Sequence, residues 1–472
     1  MLILNKFKWQ MGNSLALCAA LLGVVLNGTA LAANAADVSI GEHTLDNGMR
    51  IIVKTDRRAP VVVSMVWYKV GSVDEVNGVT GVAHVLEHML FKGTKTNPKA
   101  DFSKIVAAAG GRDNAFTSRD YTGYFQTVQK SQLPLMLRME ADRMVNALIA
   151  PDEFAKEIKV VMEERRMRTD DRARSLVYEQ LMATALRAHP YRAPVVGWMS
   201  DLQNMTAEDA RDFYDKWYAP NNATLVVVGD VSHGELFKLA REHFGPLKSR
   251  KLPPRKPQDE PPQTGIRRIT VKAPAEQPYF IMAYRAPKLV DVEKDWEPYA
   301  LDMLASVFDG NGASRFAREL IRGSQIASSA DASYDGTGRG PSFFYFSGVP
   351  TAGKTLEELE QAVRSEVKKI VDHGVTEEEL KRIKAQVIAS RVYERDSMFF
   401  QARQIGSLDT SGYSYKSIDL MTEKFKAVTA EQVREVAQKY LIGDALTVAY
   451  LDPQPVGQRK PAAPVAGVRH AQ

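Results

Sequence analysis

Apolar and polar positions along the chain switch repeatedly between a two-residue and a helical period. Residues 40–45 and 49–54 read as short strands flanking Asp46-Asn47-Gly48, and an Asn-Gly pair favours a hairpin with a type I′ turn. After Pro60, the run Val61–Lys69 (VVVSMVWYK) is strand-like. Thr80–Gly93 (TGVAHVLEHMLFKG) has few helix breakers and places Val82, Val85, Leu86, Met89 and Leu90 at helical spacing. Thr80 is available there as N-cap and Gly93 as the closing residue. A shorter helix is predicted near Pro98–Ala109, ending at Gly110-Gly111. Arg112–Val128, rich in Thr and aromatic residues, reads as two strands linked near Ser118–Asp120. Leu133–Leu148 is apolar at helical spacing, and Pro151 opens a helix that continues through Glu163-Glu164 towards Thr169. Thr224–Val228 is a short buried strand, followed by a helix near Gly234–Phe244.

The composition then changes. Residues 248–265 (KSRKLPPRKPQDEPPQTG) are rich in Pro and charge and nearly free of large apolar groups, as in an extended linker. Beyond it, helices are predicted at about 294–308, 355–373 and 376–395, with strands at Ser342–Val349 and 445–452. Thr206-Ala207-Glu208, Arg211, Lys216 and Trp217 recur 223 residues later as Thr429-Ala430-Glu431, Arg434, Lys439 and Tyr440. ATLVVVGD at 223–230 matches ALTVAYLD at 445–452, so the chain reads as a duplication. The fold class that follows is α+β: two homologous α/β-sandwich-like halves, each a mostly antiparallel sheet packed by helices, joined by the Pro-rich linker. The organisation reads 1–36, 37–247, 248–265, 266–452 and 453–472: a secretory signal, a half carrying the chemistry, the linker, a second half, and a Pro/Ala-rich disordered tail.

The signal assignment rests on Lys6 and Lys8, the apolar run Leu15–Leu26, and the A-x-A sites at Ala30–Ala32 and Ala33–Ala35. That run is short for a bilayer span, and the periplasm is the expected location. Cys18, the single cysteine, lies inside the run, so the mature chain would have neither disulfides nor thiol catalysis. A formal charge of +5 over 472 residues, without a basic stripe interleaved with aromatics, gives no indication of nucleic-acid binding.

Chemistry is concentrated at His84 and His88. Four residues apart on one helix, the two imidazoles share a face and form half of a zinc site, with Glu87 bordering it as a general base. The region 223 residues after them, Val307–Asn311, has no histidine, so only one half can carry this site. A third ligand must come from elsewhere, and EIKVVMEERR at 157–166 is the strongest acidic helix. Glu157 and Glu164 are about two turns apart and share a face, with Glu163 pointing roughly 100° away. The pattern alone leaves Glu164 and Glu157 as alternatives.

HVLEH at 84–88, NAFTSRDYT at 114–122, EIKVVMEE at 157–164, HPYRAPVVG at 189–197 and WYAPNNATLVVVGDV at 217–231 together resemble the M16 (pitrilysin-like, insulinase) metallopeptidase family. The resemblance is to its short bacterial branch, related to mitochondrial processing peptidase subunits, and spans about residues 38–452. It implies a zinc endopeptidase with His84, His88 and Glu164 as ligands of one Zn²⁺ per chain, Glu87 as base and Glu157 in support. It further implies that Asn114, Ala115 and Phe116 line an edge strand that receives a peptide. Read from the residues alone, Asn114 ends a turn and Phe116 packs in a core. An Arg/Tyr pair from an opposing half or subunit is implied too, with Arg315, Arg322, Tyr334 and Tyr345 as unassigned candidates. So is a partner: a homodimer, or a heterodimer with a histidine-lacking relative. The alternative is a non-catalytic structural or binding subunit of such a complex.

Overall fold

Val61–Tyr68 has almost no polar alternation because both faces of its sheet are covered. In the computed structural model, which describes residues 40–98, 102–441 and 443–456, Val62, Val66 and Tyr68 face one core. Val63, Met65 and Trp67 face a second core on the other side. The expected secretory signal, with Cys18, and residues 457–472 of the expected tail lie outside the described residues.

The first sheet contains β1 (Ile40–Thr44), β2 (Arg50–Thr55), β3 (Val61–Tyr68), β4 (Arg112–Thr117), β5 (Thr122–Gln129) and β6 (Ala223–Gly229) in the order β1-β2-β6-β3-β5-β4. Only β2 and β6 are parallel. The second contains β7 (Arg267–Pro274), β8 (Tyr279–Ala286), β9 (Ala327–Tyr334), β10 (Ser342–Pro350) and β11 (Leu446–Gln454) in the order β7-β11-β8-β10-β9. Here only β7 and β11 are parallel. The second sheet therefore repeats β2-β6-β3-β5-β4 strand for strand, which is the fold class read from the sequence.

Helices follow the same repeat. The first sheet is accompanied by α1 (Val82–Met89), α2 (Phe102–Ala108), α3 (Leu133–Asn146), α4 (Pro151–Arg165), α5 (Ala173–Ala185), α6 (Met199–Asn204), α7 (Ala207–Trp217) and α8 (His233–Phe244). The second is accompanied by α9 (Glu297–Asp309), α10 (Leu356–His373), α11 (Glu377–Glu394), α12 (Met398–Thr410), α13 (Ser417–Ala427) and α14 (Ala430–Tyr440). The recurring Thr-Ala-Glu signals cap equivalent helices. Thr206 forms a capping box with Asp209 at α7, and Thr429 forms one with Gln432 at α14.

Two helices exchange places. α5, which follows α4, lies against β7, β8 and β11, and α12 lies against β3 and β6. Each covers the outer face of the other sheet. α12 fits because Gly406 meets the Trp67 indole, where a Cβ would sit 2.1 Å from a ring atom. Its buried Asp409 accepts hydrogen bonds from Arg50 and from the Thr224 hydroxyl.

Three local expectations are corrected. The β1–β2 turn is not type I′: Gly48 has φ 86°, whereas Asn47 is not left-handed. Instead the Gly48 N–H donates to Leu45 and the Leu45 N–H to Met49, a three-residue loop with a glycine bulge. Asn47 is held by its amide, which donates to the carbonyls of Phe244 and Leu247. Thr80 does not cap α1, as described below. Gly93 is left-handed (φ 99°) but lies beyond the helix, whose C-cap is Leu90.

Residues 248–264 form neither helix nor strand, yet they are tied down. Arg255 donates to Asp74 at 2.8 Å and lies 4.6 Å from the Trp217 ring centroid. Glu260 accepts from the backbone N–H groups of Arg187, Ala188 and His189 at 2.7–2.8 Å.

Candidate metal centre

All eight residues of α1 are buried, an unusual setting for His84, Glu87 and His88. Its N-terminus is fixed by a carboxylate remote from any cap position. Glu75 accepts from the N–H groups of Gly81 and Ala83 at 2.8 and 2.9 Å, satisfying donors that a helix start leaves open. Burial pushes the Glu75 carboxyl up to about 8 against those two hydrogen bonds. Thr80 turns away: its hydroxyl donates to Asp201 at 2.6 Å and accepts from the Trp198 N–H at 3.0 Å. Gly81 (φ 89°) and Gly197 (φ 88°) pass each other so closely that a Cβ on Gly197 would lie 2.3 Å from the Thr80 carbonyl oxygen. Arg165 holds the same crossing, donating to the Gly197 carbonyl at 2.9 Å and forming a forked pair with Glu179.

α4 packs across α1 and settles which acid faces the histidines. Glu164 Oε2 lies 3.8 Å from His84 Nε2 and 3.4 Å from His88 Nε2. The ligand atoms of His84, His88 and Glu164 lie within 4.8 Å of one another, and all three residues are buried. Tetrahedral bonds of about 2.0–2.1 Å would separate neighbouring ligand atoms by about 3.3 Å, so a zinc-sized cation fits this set with small adjustments. Glu157 reaches the far side of His88, 3.2 Å from Nδ1, where a carboxylate fixes the ring's tautomer and leaves Nε2 to face the centre. Lys92 holds its other oxygen at 2.6 Å. Glu163 points elsewhere and pairs with Arg166. Arg168 pairs with the outer oxygen of Glu164 at 2.8 Å.

The electrostatics follow from this crowding. Burial pushes Glu87 up to about 7, and neighbouring Glu164 adds to the rise, while His88 and the Thr117 hydroxyl oppose it. For His88, burial favours the neutral ring, but hydrogen bonds to Glu157 and Glu164 outweigh it and raise the imidazole to about 9. Carboxyl groups of Glu87, Glu157 and Glu164 crowd around the two imidazoles, a setting that favours positive charge on the ring of His88.

β4 lies at the sheet's edge, paired only with β5. Ala115 is buried against the α1 side. Asn114 is half-buried, and its Oδ1 accepts from the Ala115 N–H at 2.9 Å. Phe116 points to the opposite face, its ring 5.0 Å from Trp67. The side chain on this strand that reaches α1 is Thr117, whose hydroxyl donates to Glu87 Oε2. Thr117 lies one residue beyond the 114–116 edge that the resemblance implies. The two-residue alternation that puts Ala115 inside also places Thr117 there. Of the Arg/Tyr candidates, Arg315 pairs with Glu379, Tyr334 donates to the Pro287 carbonyl and Tyr345 to the Met182 sulfur. α9 stands in the second half where α1 stands in the first, and it contains no histidine.

Fold and centre define a two-sheet protein with an inverted His-x-x-Glu-His helix and a carboxylate from a second helix. Residues 50–197 match the family model described as insulinase (peptidase family M16), and residues 204–387 match the peptidase M16 inactive domain. The chain belongs to the M16 peptidase family. It is 31% identical to the zinc protease PqqE of Helicobacter pylori over 87% of this chain and 92% of that one. The crystal structure of a protease from Helicobacter pylori superposes with a TM-score of 0.82 at 30% identity, covering 88% of this chain and 100% of that one. An M16-like peptidase from Alicyclobacillus acidocaldarius shares the fold, with a TM-score of 0.77 at 20% identity over 88% of this chain and 98% of that one.

Proposed function

We propose that the protein is a zinc-dependent endopeptidase acting on peptides or unfolded polypeptide segments. The observation that carries this reading is the buried His84–His88–Glu164 set beside Glu87, at the edge strand β4. Those three residues would hold Zn²⁺, which when bound supplies Lewis acidity towards water and the scissile carbonyl. A peptide laid alongside β4 satisfies its backbone on the free edge and brings a carbonyl to the centre. Asn114, Ala115 and Phe116 form that edge. Glu87 takes the proton of the attacking water and delivers it to the leaving amine. The Thr117 hydroxyl orients Glu87, and Glu157 orients His88.

The site lies on one of two homologous halves, and its partner is a second copy or a histidine-lacking relative that encloses the substrate. The signal-like first 36 residues support a periplasmic location. The test combines metal and activity. Purified protein is expected to contain about one zinc per chain and to cleave a fluorogenic peptide library but not generic phosphoesters. Glu87→Gln should keep the zinc and lose cleavage. Full cleavage by that variant would overturn the assigned base, and zinc-loaded protein that cleaves no peptide would favour a non-catalytic subunit.

A further inference from the structure

The loop joining β4 to β5 carries Arg119, two residues beyond Thr117. Four other arginines set well into the fold each have a carboxylate. Arg143 pairs with Glu140, Arg165 with Glu179, Arg315 with Glu379 and Arg339 with Asp74. Arg119 departs from this pattern. Its Nη2 donates to the Tyr178 hydroxyl at 3.1 Å, and its Cζ lies 5.0 and 6.0 Å from the ring centroids of Tyr191 and Tyr178. No carboxylate among the described residues forms an ion pair with it. A guanidinium offers five N–H donors in a planar fork, and one is engaged here by a neutral group.

That fork borders a cavity of about 420 Å³ built by both halves, with Tyr178 on one wall and Thr337, Tyr345, Ser407 and Ser411 on the others. The cavity's two carboxylates are turned to their own neighbours. Asp120 accepts from the Tyr191 hydroxyl and the Arg339 N–H. Asp335 accepts from the N–H and hydroxyl of Thr337 at 3.2 Å. What remains is a cation with spare donors, between phenol rings, in a recess lined with hydroxyls. Its complement is a planar carboxylate, which accepts two parallel N–H bonds from one guanidinium.

The recess is also close to the proposed chemistry. Two residues of extended chain span at most about 7 Å, so Arg119 follows Thr117, the residue that touches Glu87, by no more than that. A peptide lying beside β4 and continuing past Thr117 enters the recess within about two or three residues of the reacting bond.

We propose that this cavity is a carboxylate-binding subsite, with Arg119 as the specificity-determining residue. It selects peptides carrying a carboxylate two or three residues from the cleaved bond. The inference rests on the peptidase reading for the position of that bond, while the binding of a carboxylate stands independently of it. The carboxylate belongs either to the peptide's C-terminus or to an Asp or Glu side chain.

The experiment uses the zinc-loaded full mature chain and three labelled peptides of equal length: one with a free C-terminus, one amidated, and one amidated with a single Asp scanned through the central positions. Affinity is read by fluorescence anisotropy and cleavage by kcat/KM. One carboxylate peptide should bind roughly 10- to 100-fold more tightly than the plain amide, the usual range for a charged hydrogen-bonded pair. Which peptide gains identifies the carboxylate's source. Arg119→Gln should bring the ratio to about one, and Arg119→Lys should retain part of it. Equal binding of all three peptides by the wild type overturns the subsite, as does a ratio that survives in Arg119→Gln. If Arg119→Gln does not fold, Arg119→Lys decides, because an undiminished ratio there excludes the forked contact. A binding preference without any cleavage would leave the subsite standing and overturn the peptidase reading.

Discussion

Arg339, in the loop between β9 and β10, grips Asp74 with both Nη atoms at 2.9 and 3.0 Å. Asp74 immediately precedes Glu75, whose carboxylate holds the first N–H groups of α1. The Arg339 backbone N–H also holds Asp120, three residues beyond Thr117. The second half, whose α9 lacks the two histidines of α1, thus reaches both loops that flank Glu87. Arg339→Ala should lower stability by about 2–3 kcal/mol, the scale of hydrogen bonds to a charged group. Because its planar fork is lost too, Arg339→Lys should recover less than half of that. Urea unfolding measures both, and equal stability of all three proteins would show that the grip is unimportant.

The orientation of α4 makes three neighbouring glutamates unequal. Glu164→Gln should abolish stoichiometric zinc, Glu163→Gln should leave it near normal, and Glu157→Gln should weaken affinity about 10- to 100-fold through His88. Competition against a chelator ranks them. Equal losses in the Glu163 and Glu164 variants would contradict the helix register.

Thr117 touches the proposed base without being able to act as one. Thr117→Val should reduce kcat on the order of 10-fold with a smaller change in KM, and Thr117→Ser should restore most of it. Zinc content should stay unchanged in both. A loss confined to KM would assign Thr117 to substrate binding instead.

Gln325 is the non-glycine residue with left-handed φ among those described, at 52°, and it is exposed. A side chain in that region costs about 1–2 kcal/mol. Gln325→Gly should therefore raise the melting temperature, offset in part by glycine's greater freedom when unfolded. A lower melting temperature would mean that the side chain contributes more than its exposure indicates.

Acid should expose a different weak point. Burial would raise the Glu360 carboxyl, but hydrogen bonds from Arg268, Tyr450 and Arg364 outweigh it and hold the group down to about 2. The unfolded chain, titrating near 4.5, binds the proton first, so this contribution is complete above that pH and disappears as pH falls towards 2. Thermal melts between pH 5 and 2 should fall more steeply for wild type than for Glu360→Gln. Parallel curves would remove Glu360 from the acid response.

Much of this was legible in the chain. The β3 run, the Pro151 helix start and the Thr206/Thr429 repeat each depend on neighbours in sequence, and they appear where local chemistry places them. What escaped depends on distant partners. α5 and α12 gave no clear one-sided pattern: α12 buries Gln401, Gly406, Asp409 and Thr410 alongside its apolar residues. Glu75 reads as an ordinary acidic loop residue until Gly81 and Ala83 are brought to it. Arg119 lies inside the NAFTSRDYT segment, whose pattern speaks only for the strand preceding it, and its recess is assembled from segments up to about 290 residues apart. Periodicity leaves Glu157 and Glu164 as alternatives and only the resemblance points to Glu164; which of them faces both histidines depends on the crossing of α1 and α4.

The reciprocal placement of α5 and α12 has a consequence for the chain's origin. Each is the third helix after its hairpin, and each lies on the sheet of the other repeat. That is the geometry of two identical half-length chains that have traded one element, now joined end to end. A half-length ancestor would have been a swapped dimer before it was a single polypeptide. The second copy is then indispensable to the first whatever its own helices carry, because α12 still roofs the sheet beside α1.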